Sequence, residues 1–247
     1  MTADGRRGRQ NIRAAHVRTP PVRPVDLAED RAKALTLVAV SRETLERLDR
    51  FAALLLEWQQ RINLIAASTE PILWTRHIAD CLQLLSLAPD ARIWADLGSG
   101  AGLPGIVIAC ALAERAGAQV HLVESNANKC AFLREAVAAT GARAIVHNVR
   151  AADFVANSTA AIDVVTARAL APLSDLLSTA YPLLIRGALG IFPKGQSVEG
   201  ELTEAAKCWN IQATLAASRT DPNARIVVVR GLEPASGRAR RRIIRDE

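Results

Sequence analysis

Three features of the sequence predict an α/β chain with a doubly wound, seven-stranded, mostly parallel sheet whose last strand runs antiparallel. From Ala91 onward, short apolar runs alternate with helix-like stretches at the spacing of βαβ units. One of these runs, Ile93 to Asp96, passes through Leu97-Gly98-Ser99-Gly100-Ala101-Gly102-Leu103-Pro104-Gly105 into the apolar stretch Ile106 to Leu112. That is a strand, a glycine-rich bend and a helix. Near the C-terminus, Ile211 to Ala217 and Arg225 to Arg230 flank the turn residues Asp221-Pro222-Asn223, and two strands so joined can return antiparallel at a sheet edge.

The elements follow in order. Residues 1 to 35 combine Arg with Pro20, Pro21 and Pro24 and are expected to be a disordered tail. Residues 36 to 90 should form cap helices. The first fits Ser41 to Leu64, with Ser41 as N-cap and Leu45, Leu48, Ala52, Leu55 and Ile62 recurring on one face; the second opens at Thr69 and Pro71 and runs to Leu87. Residues 91 to 232 make the α/β domain. Its strands are expected at Ile93 to Asp96, Gln119 to Glu124, Arg143 to His147, Ile162 to Thr166 and Ala188 to Phe192, then the closing pair. Helices are expected at Leu103 to Ala116, Asn128 to Thr140, Leu173 to Ile185 and Glu199 to Cys208, with a short connection over Asn148 to Ala161. Residues 233 to 247 form a basic tail.

Of the net charge of +6, residues 1 to 25 contribute +5 and residues 238 to 247 contribute +3, leaving about −2 for everything between. Basicity concentrated in two Arg-rich ends suits a polyanionic partner, because each neutralised phosphate releases counterions; solvated tails without a partner fit the same pattern. Cys81, Cys110, Cys130 and Cys208 lie scattered in apolar contexts with no metal-ligand spacing, so they read as reduced core thiols of a cytoplasmic protein without a metal. No apolar run reaches the roughly 18 residues of a membrane span.

The glycine bend is the chemical signature. Alternate glycines let the backbone turn sharply and let a ligand approach without Cβ atoms in the way. Gly100 to Gly105 also matches the dinucleotide fingerprint, but Asp96 just upstream would repel a pyrophosphate. S-adenosylmethionine (SAM) has no phosphate and carries cationic groups, so it suits Asp96, Gly98 and Gly100 better. Glu124, at the end of the second strand, can accept from both ribose hydroxyls. Arg150-Ala151-Ala152-Asp153 would reach the adenine edge. Arg168, past the fourth strand, is a cation at the mouth of the site.

No Asn/Asp-Pro-Pro-aromatic run follows the fourth strand, where the chain reads Arg168-Ala169-Leu170-Ala171-Pro172, and no Cys ends the fourth or fifth strand. Base-amine and cytosine C5 methylation are therefore disfavoured. An acceptor with its own in-plane lone pair, such as guanine N7, needs only alignment. His77 and Asp80, three residues apart on a helix, share one face, so Asp80 could hold the imidazole and keep it charged.

These motifs together resemble the ribosomal small-subunit methyltransferase G family, the guanine-N7 methyltransferases of 16S rRNA. The resemblance spans about residues 45 to 231. It rests on Trp58 through Asn63-Leu64, His77-Ile78-Ala79-Asp80-Cys81-Leu82, Asp96 to Gly105, Lys129 with Phe132-Leu133, Val165 to Arg168-Ala169, and Lys194-Gly195. It implies a Rossmann-like class I SAM-dependent methyltransferase fold acting on 16S rRNA or the small subunit; separately, the chain is expected to be a monomer. It also implies SAM contacts at Gly98, Leu103, the Ala151-Ala152 backbone and Arg168, with Glu124 near the ribose, and it turns Asn63, His77, Asp80 and Lys194 toward the substrate. Ile65 stands where that family usually has Thr, and Cys81 where Ser is usual; both changes are expected to leave the cofactor site untouched. A NAD-dependent oxidoreductase and a non-catalytic RNA-binding module are the alternative readings.

Overall fold

The computed structural model describes residues 24–235 and 242–244. Two helices open it, α1 (Pro24–Leu37) and α2 (Arg42–Gln59). Ser41 caps α2 as expected, its hydroxyl accepting the Thr44 N–H at 3.1 Å. The helix stops at Gln59 instead of Leu64. There the Gln59 side chain takes over the backbone of the next segment, accepting from Leu64 N and Ile65 N at 2.9 and 3.0 Å and donating to Ile65 O at 2.8 Å.

Helix α1 corrects the expected tail of residues 1 to 35. Its Asp30 is buried and accepts from Trp74 N and Thr75 N at 2.7 and 3.1 Å, while Arg31 pairs with Asp49 of α2 and lies 5.3 Å from the Trp74 ring. Polar anchors hold this helix, and an apolar-periodicity reading does not register them. The Arg-rich segment before residue 24 and most of the C-terminal tail lie outside the described residues.

The second cap helix is not one α-helix. A 3-10 turn (Ala67–Ile72) leads into a π-helical turn (Trp74–Ala79), a single α-turn α3 (Asp80–Leu82) and another 3-10 stretch (Gln83–Leu87). Pro71 lacks the N–H that a regular helix would use, and the wider π-turn carries His77.

The α/β domain alternates β1 (Ile93–Leu97), α4 (Gly105–Ala111), β2 (Gln119–Glu124), α5 (Ala127–Thr140), β3 (Ala144–Asn148), α6 (Ala151–Asn157), β4 (Val164–Thr166), α7 (Leu173–Leu184), β5 (Leu189–Lys194), α8 (Val198–Ala205), β6 (Trp209–Ala217) and β7 (Arg225–Pro234). A last strand, β8 (Arg242–Ile244), pairs parallel with β6 inside the stretch expected as basic tail. Helix α6 stands where only a connection was expected. The strand order is β3-β2-β1-β4-β5-β7-β6-β8. β1 to β5 are parallel; β7 runs antiparallel between β5 and β6, so the closing pair enters the sheet with its second strand inside.

Central β1 is buried on both faces. Trp94 belongs to the core under α2, α4 and α5, whereas Ala95 and Leu97 belong to the core under α6, α7 and α8. The order reverses between β1 and β4, and the crevice at such a switch point is where open parallel sheets bind ligands. Cys81, Cys110 and Cys130 are buried as expected of core thiols, but Cys208, just past α8, is exposed. Among the described residues no helix is long and apolar enough to cross a membrane.

Candidate functional site

Two clefts meet at the switch point. The smaller, about 390 Å³, lies over the glycine bend and is lined by Gly98, Ser99, Gly100, Leu103, Glu124, Lys129 and Ala151, among others. Gly98, Gly100 and Gly102 have φ of 72°, 53° and 76°, the left-handed region that favours glycine. A Cβ on Gly100 would meet only Gly98 O, at 3.7 Å, so its face is open to a ligand.

Glu124 braces this cradle. Its Oε2 accepts from Gly100 N at 3.0 Å and its Oε1 from Asn126 N at 2.8 Å, which fixes the carboxylate at the cleft wall with lone pairs left for hydroxyl donors. Asn126 in turn caps α5, accepting from Asn128 N and Lys129 N.

Asp96 lies lower than its place in the motif implies. It is fully buried beneath the bend and outside the cleft lining; Oδ2 accepts from Gly105 N at 3.0 Å and Oδ1 has no partner. Burial pushes its carboxyl up to about 7, partly offset by the Gly105 bond, Ser99 and Arg168. A Cβ on Gly105 would come within 2.2 Å of Leu122 Cδ2 and 2.6 Å of Asp96 Oδ2, so this glycine serves close helix-to-strand packing. Asp96 thus anchors the bend from below.

Gly98, Gly100, Leu103, Glu124, Ala151 and Arg168 line the smaller cleft together, whereas Ala152 is exposed one residue outside it. Sequence reasoning missed Lys129 and the two cap residues Leu64 and Ile65, which also line it. Ile65 was expected to leave this site untouched, and its place in the wall corrects that. Gln59, which clamps its backbone, was the available signal.

The larger cleft, about 700 Å³, is bounded by the cap (Thr69, Arg76, His77, Asp80), the loop Arg168 to Pro172, the end of β5 (Pro193, Lys194, Gly195) and the β6–β7 turn (Ser218, Ala224, Arg225). Asn63 is exposed beside Leu64 and lines neither cleft. Arg168, Ala169 and Leu170 line both.

Arg168 organises the larger cleft. Its Nη2 donates to His77 Nδ1 at 2.7 Å and its Nη1 lies 3.5 Å from Asp80 Oδ2. Because a guanidinium only donates, Nδ1 must be the bare nitrogen, and Nε2–H donates to Thr69 Oγ1 at 2.8 Å. Burial first, then Arg168 and Arg76, lower the His77 pKa to about 3, so the imidazole is neutral. The expected charged His77 held by Asp80 is therefore corrected: Arg168 stands between them. Asp80 instead accepts from Thr220 Oγ1 at 2.6 Å and Gln83 Nε2 at 2.9 Å, tying the cap to the β6–β7 turn. Lys194 is half-buried, donating to Ala171 O at 3.0 Å and to Glu201 Oε2 at 2.8 Å, so it braces the loop instead of standing free for a phosphate.

Residues 44–224 match a family described as rRNA small subunit methyltransferase G. The ribosomal RNA small subunit methyltransferase G of Bradyrhizobium sp. strain BTAi1 is 59% identical over 207 residues, covering 84% of this chain and 93% of the relative. That of Bradyrhizobium sp. strain ORS 278 is 56% identical over 211 residues, covering 85% of this chain and 95% of the relative. Among solved structures, an O-methyltransferase from Bacillus cereus in complex with SAH has a TM-score of 0.53 at 15% identity, over 83% of this chain and 98% of that one. That likeness concerns the fold.

Proposed function

Because the chain belongs to the rRNA small subunit methyltransferase G family, we propose that it transfers a methyl group from SAM to N7 of a guanine in 16S rRNA. The observation that carries this reading is the junction of the two clefts at Arg168 to Leu170. A backbone-lined cradle opens there onto a larger cleft that has Arg76 and Arg225 on its walls.

The residues of the smaller cleft fit SAM. Gly100 offers bare backbone, Gly98 lines the same floor with Leu170 packed over it, Glu124 faces ribose hydroxyls, and Ala151 borders the adenine end. Glu124 puts a carboxylate in the cleft wall, which favours a cationic ligand over a diphosphate, whereas buried Asp96 acts only beneath the bend. When bound, SAM supplies an electrophilic methyl carbon: the N7 lone pair forms the new bond, the carbon–sulfur pair stays on sulfur, and the guanine leaves positively charged.

No proton need be removed in that reaction, and the site is built accordingly. The His77 lone pair is taken by Arg168, and both Asp80 oxygens have partners, so neither is poised as a general base. What the chain contributes is alignment: Glu124 and the bend hold one reactant, the cap and the β6–β7 turn shape the space for the other. Arg76 and Arg225 suit a phosphate backbone.

The test is methyl transfer from labelled SAM to small-subunit RNA lacking the modification, followed by nucleoside mass spectrometry. The expected product is 7-methylguanosine. Tight RNA binding without transfer would instead favour a binding module, and preferential binding of NAD over SAM would favour an oxidoreductase.

A further inference from the structure

The loop between β4 and α7 is clamped on both sides of a two-residue tip. Arg168 is held by His77 and Asp80; beyond the tip, Lys194 Nζ holds Ala171 O and Glu201 Oε2 accepts from Leu173 N at 2.8 Å. Between these clamps Ala169 has φ 55°, the one non-glycine residue with positive φ among those described. A left-handed alanine is strained, and such strain persists where the surroundings over-determine it.

The turn delivers Leu170 onto the cofactor cradle. A Cβ built on Gly98 would lie 2.6, 3.3 and 3.4 Å from three Leu170 side-chain carbons, so the isobutyl group packs directly against this glycine. Yet Leu170 remains 41% exposed and lines both clefts. Core burial does not account for an apolar side chain held there by a strained neighbour.

Resting on the methyltransferase reading above, we propose that Leu170 is a positioning residue for methyl transfer: it forms the apolar face at the junction of the two clefts against which the acceptor base lies, and left-handed Ala169 holds it there. A planar base offers an apolar face, and a leucine side chain can contact it while having no polar atom to compete for the N7 lone pair. One face held against Leu170 leaves the in-plane nitrogen directed along the wall toward the Gly98 bend. The geometry thereby takes the place of the Pro-Pro-aromatic platform that is missing after β4.

The experiment compares full-length wild type with Leu170→Ala, Leu170→Met, Ala169→Val and Ala169→Gly, measuring the single-turnover methylation rate on unmodified small-subunit RNA and the equilibrium SAM Kd. Leu170→Ala should slow transfer about 30- to 100-fold, the scale of a small misalignment, with the SAM Kd changed by less than about threefold. Leu170→Met should recover most of the rate. Ala169→Val, β-branched at a left-handed position, should reproduce the slow phenotype, and Ala169→Gly should keep the wild-type rate. Leu170→Ala with an undiminished rate, or with a loss of SAM affinity as large as its loss of rate, overturns the inference alone. A wild type that transfers no methyl group overturns the activity reading and this inference with it.

Discussion

The two clefts are built in opposite ways. The smaller cleft has a floor of backbone from one contiguous stretch, Gly98 to Ala101 and Leu103, braced by a carboxylate at the end of the neighbouring strand and walled by the cap and the neighbouring loops. The larger cleft is made of side chains from four distant segments, joined through Arg168, His77, Asp80 and Thr220 across as many as 140 residues of sequence. Backbone sites depend on φ values and bare Cα atoms, so one added side chain disables them. Side-chain networks share the load among members, so their losses should be graded and non-additive.

Gly98→Val gives the largest effect expected. It puts a β-branched residue at φ 72° and drives its Cβ into Leu170, so SAM affinity should fall at least about 100-fold while the protein still folds, as read by calorimetric titration and circular dichroism. Normal SAM affinity in a folded variant would break the contrast. Arg168→Ala should come next, lowering the methylation rate by about 10- to 100-fold, because it frees His77 and Asp80 together. Its combination with His77→Asn should be much less than multiplicative in a double-mutant cycle; independent effects would mean that the cluster is not one network.

Asp30→Ala, remote from both clefts, should cost about 1–3 kcal/mol in urea unfolding, since it leaves the buried Trp74 N–H without its carboxylate. A pH slope in stability is also expected. His77 is neutral in the fold with a pKa near 3 and takes up a proton near 6.5 once unfolded. At His77 the unfolded chain therefore binds more protons between those values, so the His77 contribution present above about pH 6.5 is progressively lost as pH falls toward 3, while Asp96, raised to about 7 in the fold, acts with the opposite sign over part of that range. His77→Asn should flatten that slope in urea titrations from pH 7 to 4; an unchanged slope would place the acid sensitivity elsewhere.

The sheet and the cradle were legible because their signals are local. Ser41, the strand Gln119–Glu124 and the bounds of α5 and α7 come from capping residues and period, which act within a few positions. Helix α1 was not legible, since Asp30 and Arg31 hold it through Trp74 and Asp49. Helix α6 was read as a connection because seven residues give too little periodicity. At the site, residue types suggested the cofactor but not the placement of Asp96, whose face of β1 turns it under the bend.

By itself the sequence determined that a strand, a bare-backbone bend and a helix would follow one another, with an acid at the end of the next strand, because backbone conformation and side-chain alternation are set by near neighbours. Only the tertiary structure decided that Arg168 would lie between His77 and Asp80, that Lys194 would be tied to Glu201, and that Ile65 of the cap would enter the wall of the smaller cleft. Those pairings depend on how sheet, cap and turn pack in space, and hydrogen-bond partners dozens of residues apart leave no periodic trace along the chain.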